Sequence, residues 1–510
     1  MTSPIALEVF RYRIAAVATE MGDVLRRTAH SPNIKERADC SVAIFEPGGE
    51  MIGQAEHIPV HLGSMPASVA AIINRFDPQH GAQYAVNDPY AGGTHLNDLT
   101  LVRPVFVDRV LVAWVANRAH HADVGGDAPG SMPAAATRLS QEGCVVSPVL
   151  AVVNSRWQEE FRSPFINATR TPVERAGDLA AQLGANEVGA ARITELIGAD
   201  LNAFRRSSIA LLDYGERRMR SALTELPAGL YRFEDVMEFG DVDLPIHVAV
   251  RIEDGLLEAD FSGTHAQVEG NLNAVEAVTR SCLYFAVRVA TDPTLPANGG
   301  CYRLLHLQAP RGSLVNAEPP VAVAAGNVET SQRIADVLLG ALAQAAPNRV
   351  PAAGQGTMNN VLIGNDRFAY YETLAGGQGG RPHKPGQSGI HTGMTNTANT
   401  PIESLHMHYP FRVTRYTLRQ GSGGAGMHAG GEGLEREIEF LEEAELSLIG
   451  ERRRHRPWGL AGGEPGASGE DWLLRSASAP ERLPGKTTLT VRPGDRLLVR
   501  TPGGGGWGRQ

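Results

Sequence analysis

The sequence predicts a mixed α+β fold of several packed units, with β-hairpins, a central helical segment and a β-rich, Gly-rich C-terminal part. Three observations predict it. At 510 residues the chain exceeds what one hydrophobic core of about 250–300 residues fills. Short β-branched runs bounded by Gly and Pro alternate with longer stretches of helical spacing. Many of the 57 glycines gather in the last third. The expected units are 1–170, carrying a metal site, 171–350, and 351–510.

Val9, Val17, Met21, Val24 and Leu25 recur at helical spacing behind Pro4, giving a first helix. Cys40–Phe45 and Met51–Ala55 read as strands joined at Pro47-Gly48-Gly49. The stretch from Asn87 to Asp123 begins with an irregular Pro/Gly loop. Two apolar runs follow, Leu99–Val107 and Val110–Ala116, separated by Asp108-Arg109. They predict an antiparallel hairpin. Residues 124–149 form a Gly/Pro-rich segment too apolar for a linker, expected to wrap over the site. Thr171–Leu226 is rich in Ala, Leu, Arg and Glu and predicts two or three helices. Leu230–Phe239, Ile246–Ile252 and Leu256–Phe261 read as strands, and Val278–Ala290 and Glu329–Ala345 as helices.

The hairpin carries the chemistry. A two-residue turn makes cross-strand residue numbers sum to about 217, and a three-residue turn to about 218, so His120 falls opposite Asn97 or Asp98. His95, Asp98 and His120 can then meet as nitrogen and oxygen ligands. That donor set suits a divalent metal such as Mn, Zn or Fe better than Mg or Ca, which prefer oxygen throughout. Glu36 or Asp39, both just before the first predicted strand, can complete the shell, or either can pair with Lys35 or Arg37. His57 and His61 are reserves. His121 points to the opposite face if the strand continues and is expected to support the site. Asp123 and Glu142 join Glu36 and Asp39 as unranked proton acceptors.

Gly92 and Gly93, Gly376 and Gly377, with His391 and Asn396, sit in loops that expose backbone N–H groups and small polar side chains, so they are candidates for holding a small polar substrate. The competing reading makes such glycines tight turns. Two nucleotide motifs fail on context. Gly421–Gly426 satisfies G-x-G-x-x-G but leads into MHAGGEG, a poor helix former, and Gly485-Lys486-Thr487 has Pro480 where a P-loop needs its first glycine. The basic run Arg452–Arg456 reads as a solvated face.

A net charge of −9, spread along the chain, disfavours a nucleic-acid partner. Cys40, Cys144, Cys282 and Cys301 are far apart, which suggests reduced thiols and a cytoplasmic setting. Charged residues within positions 1–30 argue against a signal peptide, and no run approaches about 18 apolar residues, so no membrane association is expected.

Eight ordered motifs carry a family resemblance: NDPYAGGTHLND, HHADVGGDAPGSM, GNVETSQR, GQGTMNN, YETLAGGQGGRP, HTGMTNTANTPIE, SGGAGMHAGGEG and TPGGGGWG. Together they resemble the hydantoinase B/5-oxoprolinase family, which includes the α-type subunits of acetone and acetophenone carboxylases, over about residues 4–509. The resemblance implies a B-type subunit of an ATP-dependent amidohydrolase that opens a cyclic amide such as hydantoin, 5-oxoproline or a related lactam. It implies an A-type partner that binds the ATP, hence a hetero-oligomer. It also implies a metal, Mn in acetone carboxylase, at a site like His95, Asp98 and His120 with an acid from Glu36 or Asp39. A ketone carboxylase subunit and a non-catalytic scaffold are the alternatives. Departures fall in the C-terminal loops: Gly380 replaces an Ala, Pro385-Gly386 an Asp-Gly, and His406 a frequent Glu.

Overall fold

The computed structural model describes residues 3–55, 58–476 and 478–510; His57 lies outside the described residues. The first helix, Pro4–Thr28, starts at Ser3, whose hydroxyl accepts the Ala6 N–H. Its buried face includes Phe10, Ile14, Met21 and Leu25. It packs on the long helix Pro172–Ile197, where Gly189 lets the Met21 side chain approach; a Cβ there would stand 2.4 Å from its sulfur.

Those helices pack with a seven-stranded antiparallel sheet. Its order is Met51–Ala55, Cys40–Phe45, Val110–His120, Asp98–Val107, Ala82–Val86, Val149–Val153 and Arg156–Trp157. The central hairpin turns at Asp108 and Arg109, both at positive φ (49° and 66°), as a two-residue turn matched to strand twist requires. Near the turn Val107 pairs with Val110. A bulge between Val105 and Phe106 then shifts the register, so Val105 faces Ala113 and Asp98 faces His120. Both expected pairing sums occur, one on each side of the bulge. The second strand runs to His120 rather than stopping near Ala116.

Two helices, Pro172–Ile197 and Leu201–Thr224, form the central helical segment. A four-stranded sheet follows, ordered Leu305–Gln308, Leu256–Asp260, Val242–Glu253 and Gly229–Phe239, with the first two parallel. Helix Ser331–Ala345 packs against it and against helix Glu276–Ala290, and is entered through a π-turn at Gly326–Thr330. The C-terminal part holds two antiparallel sheets. One orders Phe368–Thr373, Asn360–Asn365, Ala444–Ile449 and Lys486–Val491. The other orders Phe411–Arg419, Gly433–Phe440, Arg496–Arg500, Glu470–Leu474 and Glu481–Leu483. One buried apolar cluster draws on all three expected spans, from Ala43 through Leu179 to Ile449.

The Gly-rich segments lie on one another as extended backbones. Gly431 donates to Gln378 O at 2.7 Å, Gly504 to Gly431 O at 2.9 Å, Gly380 to Gly505 O at 2.8 Å and Gly505 to Ala353 O at 2.8 Å. A Cβ on Gly379 would reach Ala352 O at 1.8 Å. Close approach of chains, more than turn geometry, demands glycine at that position. Gly421–Gly431 forms no helix, and Lys486 opens a strand.

The basic run corrects the sequence reading. Arg452 is buried and its Nη2 stands 2.7 Å from both Asp235 and Asp336. Arg453 pairs with Asp471 at 2.8 Å and Arg454 with Asp243 at 2.7 Å. The backbone N–H groups of Arg453, Arg454 and His455 all donate to Glu238. Arg454 and Arg456 stay exposed, but buried Arg452 and the backbone bonds to Glu238 tie this segment of the C-terminal part to strands Gly229–Phe239 and Val242–Glu253. Among the described residues no helix is long and apolar enough to cross a membrane.

Candidate metal centre

The hairpin ends place His120 on one strand directly across from Asp98 on the other, and the loop before Asp98 returns His95 to the same point. Among the described residues, His95, Asp98 and His120 form the one group of three ligand-type side chains whose donor atoms lie within 4.8 Å of one another. Asp98 Oδ1 stands 3.3 Å from His95 Nε2 and 3.3 Å from His120 Nδ1, yet makes a directed hydrogen bond to neither. The three residues are 0%, 1% and 3% exposed in chain order.

Asp98 Oδ2 is held from behind: the Thr94 hydroxyl donates to it at 2.6 Å and His61 Nε2 lies 3.3 Å away. His61 is fixed in turn by Ser41 Oγ, 2.8 Å from its Nδ1. One carboxylate oxygen is thus anchored while the other is presented. The His120 backbone is pinned on both sides, its N–H donating to Asp39 O at 3.0 Å and its carbonyl accepting from Asn33 Nδ2 at 2.7 Å. Its imidazole stacks on Tyr371, centroids 4.7 Å apart and planes inclined by 15°. Tyr371 comes from the C-terminal sheet, and its hydroxyl donates to Asn360, which in turn donates to Glu329 at 2.7 Å.

Burial shifts these groups. It pulls His120 down to about 3 and lowers His61, so both imidazoles are neutral near pH 7. Burial also opposes ionisation of Asp98, but His95 and His61 outweigh it and hold the carboxyl well below its usual range. Asp39, 3.9 Å from His120 Nδ1, is pushed by burial up to about 7 against the pull of Arg37. Neutral imidazole and ionised carboxylate are the forms that coordinate a cation. Buried donors converging without partners of their own are otherwise costly. On both counts these residues fit a divalent metal.

Other expected site residues are placed elsewhere. His121 faces away, its Nε2 3.0 Å from Gln182 Oε1 and its ring edge-on to Phe165. Asp123 accepts the N–H groups of Gly125, Gly130 and Arg170 and pairs with the Arg170 guanidinium at 3.0 Å, shaping the loop after the hairpin. Glu142 accepts the N–H groups of Val323 and Ala324. Glu36 is half-buried at the end of the turn Pro32–Lys35. Gly92 lines a separate depression near Tyr90 and Glu276, and a Cβ on Gly93 would strike Asn87 O at 2.4 Å. Gly376 exchanges hydrogen bonds with Ile390 and Gly377 donates to Pro502, so both serve the glycine packing.

His391 and Asn396 line a cavity of about 350 Å³ with Gln378, Thr392, Thr395 and Trp458. The same stretch reaches the cluster: Ala398 donates to Arg37 O at 2.9 Å, and Thr397 Oγ1 lies 2.8 Å from Thr373 Oγ1. Arg37 donates to Tyr371 O at 2.7 Å and to the Thr373 hydroxyl at 2.9 Å. Sequence reasoning missed Tyr371 and Thr94, and named Arg37 only as a pairing partner for a neighbouring acid. Tyr371 sat within a recognised motif, but nothing local says which face of its strand meets His120.

The family profile for Hydantoinase B/oxoprolinase matches residues 3–510. The chain belongs to that family. It is 38% identical to 5-oxoprolinase 1 of Arabidopsis thaliana over 99% of its own length, but spans only 42% of that longer protein. A Pseudomonas protein named as the B-type component of a D-/L-hydantoinase is 30% identical, with 99% and 90% of the two chains covered. The solved ATP-dependent caprolactamase of Pseudomonas jessenii superposes with a TM-score of 0.93 at 28% identity, covering 99% of this chain and 91% of the other. Acetone carboxylase shares the fold, with a TM-score of 0.90 at 18% identity over 100% of this chain and 76% of the other. The mixed fold expected from sequence is the one this hydantoinase B/oxoprolinase family adopts.

Proposed function

We propose that this chain is the B-type subunit of an ATP-dependent amidohydrolase that opens a cyclic amide such as a hydantoin or lactam, working with an A-type partner that holds the ATP. The observation that carries the reading is the convergence of His95, Asp98 and His120, buried and with Asp98 Oδ1 left for a further partner. Names of relatives support the reaction class: a 5-oxoprolinase, a hydantoinase component and a caprolactamase.

An unstrained cyclic amide is a poor electrophile. Phosphoryl transfer from ATP to its carbonyl oxygen activates the carbon, and water adds there. The tetrahedral adduct then expels the ring nitrogen, which takes up a proton. The acyl phosphate left behind is hydrolysed by a second water to carboxylate and phosphate. His95, Asp98 and His120 would hold a divalent cation, which when bound would supply Lewis-acid polarisation and lower the pKa of water from about 15.7 toward 7. Thr94 and His61 orient Asp98, and Tyr371 fixes the His120 ring plane. Asp39 is positioned beside His120 to take a proton from the attacking water.

Metal analysis of the purified chain beside Asp98→Asn tests the site, with about one divalent ion per wild-type chain expected and little in the variant. With the A-type partner, ring-dependent ATP hydrolysis without bicarbonate is expected. A strict bicarbonate requirement would assign a carboxylase instead. Full turnover by His95→Ala and His120→Ala would leave the chain a scaffold.

A further inference from the structure

The cavity lined by His391 and Asn396 differs from the metal centre in its charge. Its walls bring together neutral amide, hydroxyl and aromatic groups: Gln378, Thr392, Thr395, Asn396 and Trp458. Among the described residues that line it there is no Arg or Lys, and its one acid, Asp336, has the wrong sign to receive an anion. The nearby guanidinium groups are committed. Arg452 is engaged by Asp235 and Asp336, and Arg37 by Asn33, Tyr371 and Thr373. Arg288 lines a smaller adjoining depression of about 240 Å³. At about 350 Å³ the cavity sits at the small end of ligand sites, sized for one ring.

Burying a carboxylate with no counter-cation costs far more than burying an amide, whose C=O and N–H each need only one hydrogen bond. We propose that this cavity receives an uncharged cyclic amide and rejects ring acids, so that the substrate is a hydantoin or lactam without a carboxylate rather than anionic 5-oxoproline. This rests on the amidohydrolase reading and narrows it. Burial supports it by drawing His391 down to about 4, which leaves that wall neutral as well.

The test uses the complex of this chain with its A-type partner and a matched pair, 5-oxoproline and its carboxamide, which share one ring and differ in charge. Binding is read by calorimetry, and ring-dependent ATP hydrolysis is followed separately. The carboxamide is expected to bind about tenfold or more tighter than the acid. Asn396→Arg, which places a cation at an exposed position of the cavity wall, should narrow that preference about tenfold or reverse it. Tighter binding of the acid by the wild type, abolished in Arg288→Gln, would overturn the proposal, as would failure of both rings to bind. If the carboxamide binds with the expected preference and no ATP is hydrolysed, the charge selection stands and the amidohydrolase reading falls.

Discussion

The hairpin Asp98–His120 and the glycine layer of the C-terminal part are both dense in polar groups, yet they use them in opposite ways. In the layer, backbone N–H groups of Gly380, Gly431, Gly504 and Gly505 are all spent on carbonyls of neighbouring segments. At the hairpin, Asp98 Oδ1 and His95 Nε2 converge in a buried interior with no directed hydrogen bond. Polar density alone therefore does not mark a site. What distinguishes the hairpin is that its leftover buried atoms belong to two imidazoles and a carboxylate whose donor atoms lie within 4.8 Å of one another, the arrangement the proposed metal reading needs.

The largest expected effect breaks the hairpin side of this contrast. His95→Ala or His120→Ala should remove the stoichiometric metal and lower ring-dependent turnover by about 10³-fold or more, checked by metal analysis and steady-state kinetics of the complex. Next comes the layer: Gly379→Ala forces a Cβ against Ala352 O and should cost about 3 kcal/mol or more in urea unfolding, without changing the metal content of whatever folds. A smaller effect sharpens the distinction between ligand and support. His61→Ala or Thr94→Val frees Asp98 Oδ2 and should weaken metal affinity about 10- to 100-fold by competition with a chelator, leaving the fold intact.

A pH-dependent effect concerns Glu142, a carboxyl serving structure. Burial raises it to about 8 from an ordinary 4.5, against the backbone N–H groups it accepts. The folded state therefore keeps a proton that the unfolded state has lost. Its contribution is fully present below about pH 4.5 and is lost as pH rises through 8, with a slope of at most about 1.4 kcal/mol per pH unit. Glu142→Gln should flatten that part of the stability profile measured by urea unfolding at several pH values.

Much of the hairpin was legible because period-two patterning and turn chemistry are local. Cys40–Phe45 and Met51–Ala55 have the bounds their sequence suggests. The strand beyond Ala116 was not legible, since Asn117 and Arg118 look like an exit to solvent. In the fold Asn117 donates to Gln182 and Asn186, and Arg118 to Ser64, Ser68 and Thr100, so both are buried and paired. The same limit hid the role of Arg452–Arg456, whose acidic partners Asp235, Asp243 and Glu238 lie more than two hundred positions earlier. Glycine spacing cannot separate a turn from a close approach of chains, because the second depends wholly on the neighbour. Of the site, the two histidines and the aspartate could be read from pairing arithmetic, but the Tyr371 ring beneath His120 could not.

The bulge in the hairpin sets which length changes the site can survive. Val112 is the extra residue between the pairs Phe106–Leu111 and Val105–Ala113. Excising it would straighten the ladder and still leave the imidazole of His120 facing Asp98. Adding or removing a residue anywhere from Ala113 to Ala119 would slide that histidine past its carboxylate and turn it to the other face of the sheet. Relatives that keep His95, Asp98 and His120 can therefore be expected to vary in length on the turn side of the bulge, and to hold a fixed count on the side that leads to His120.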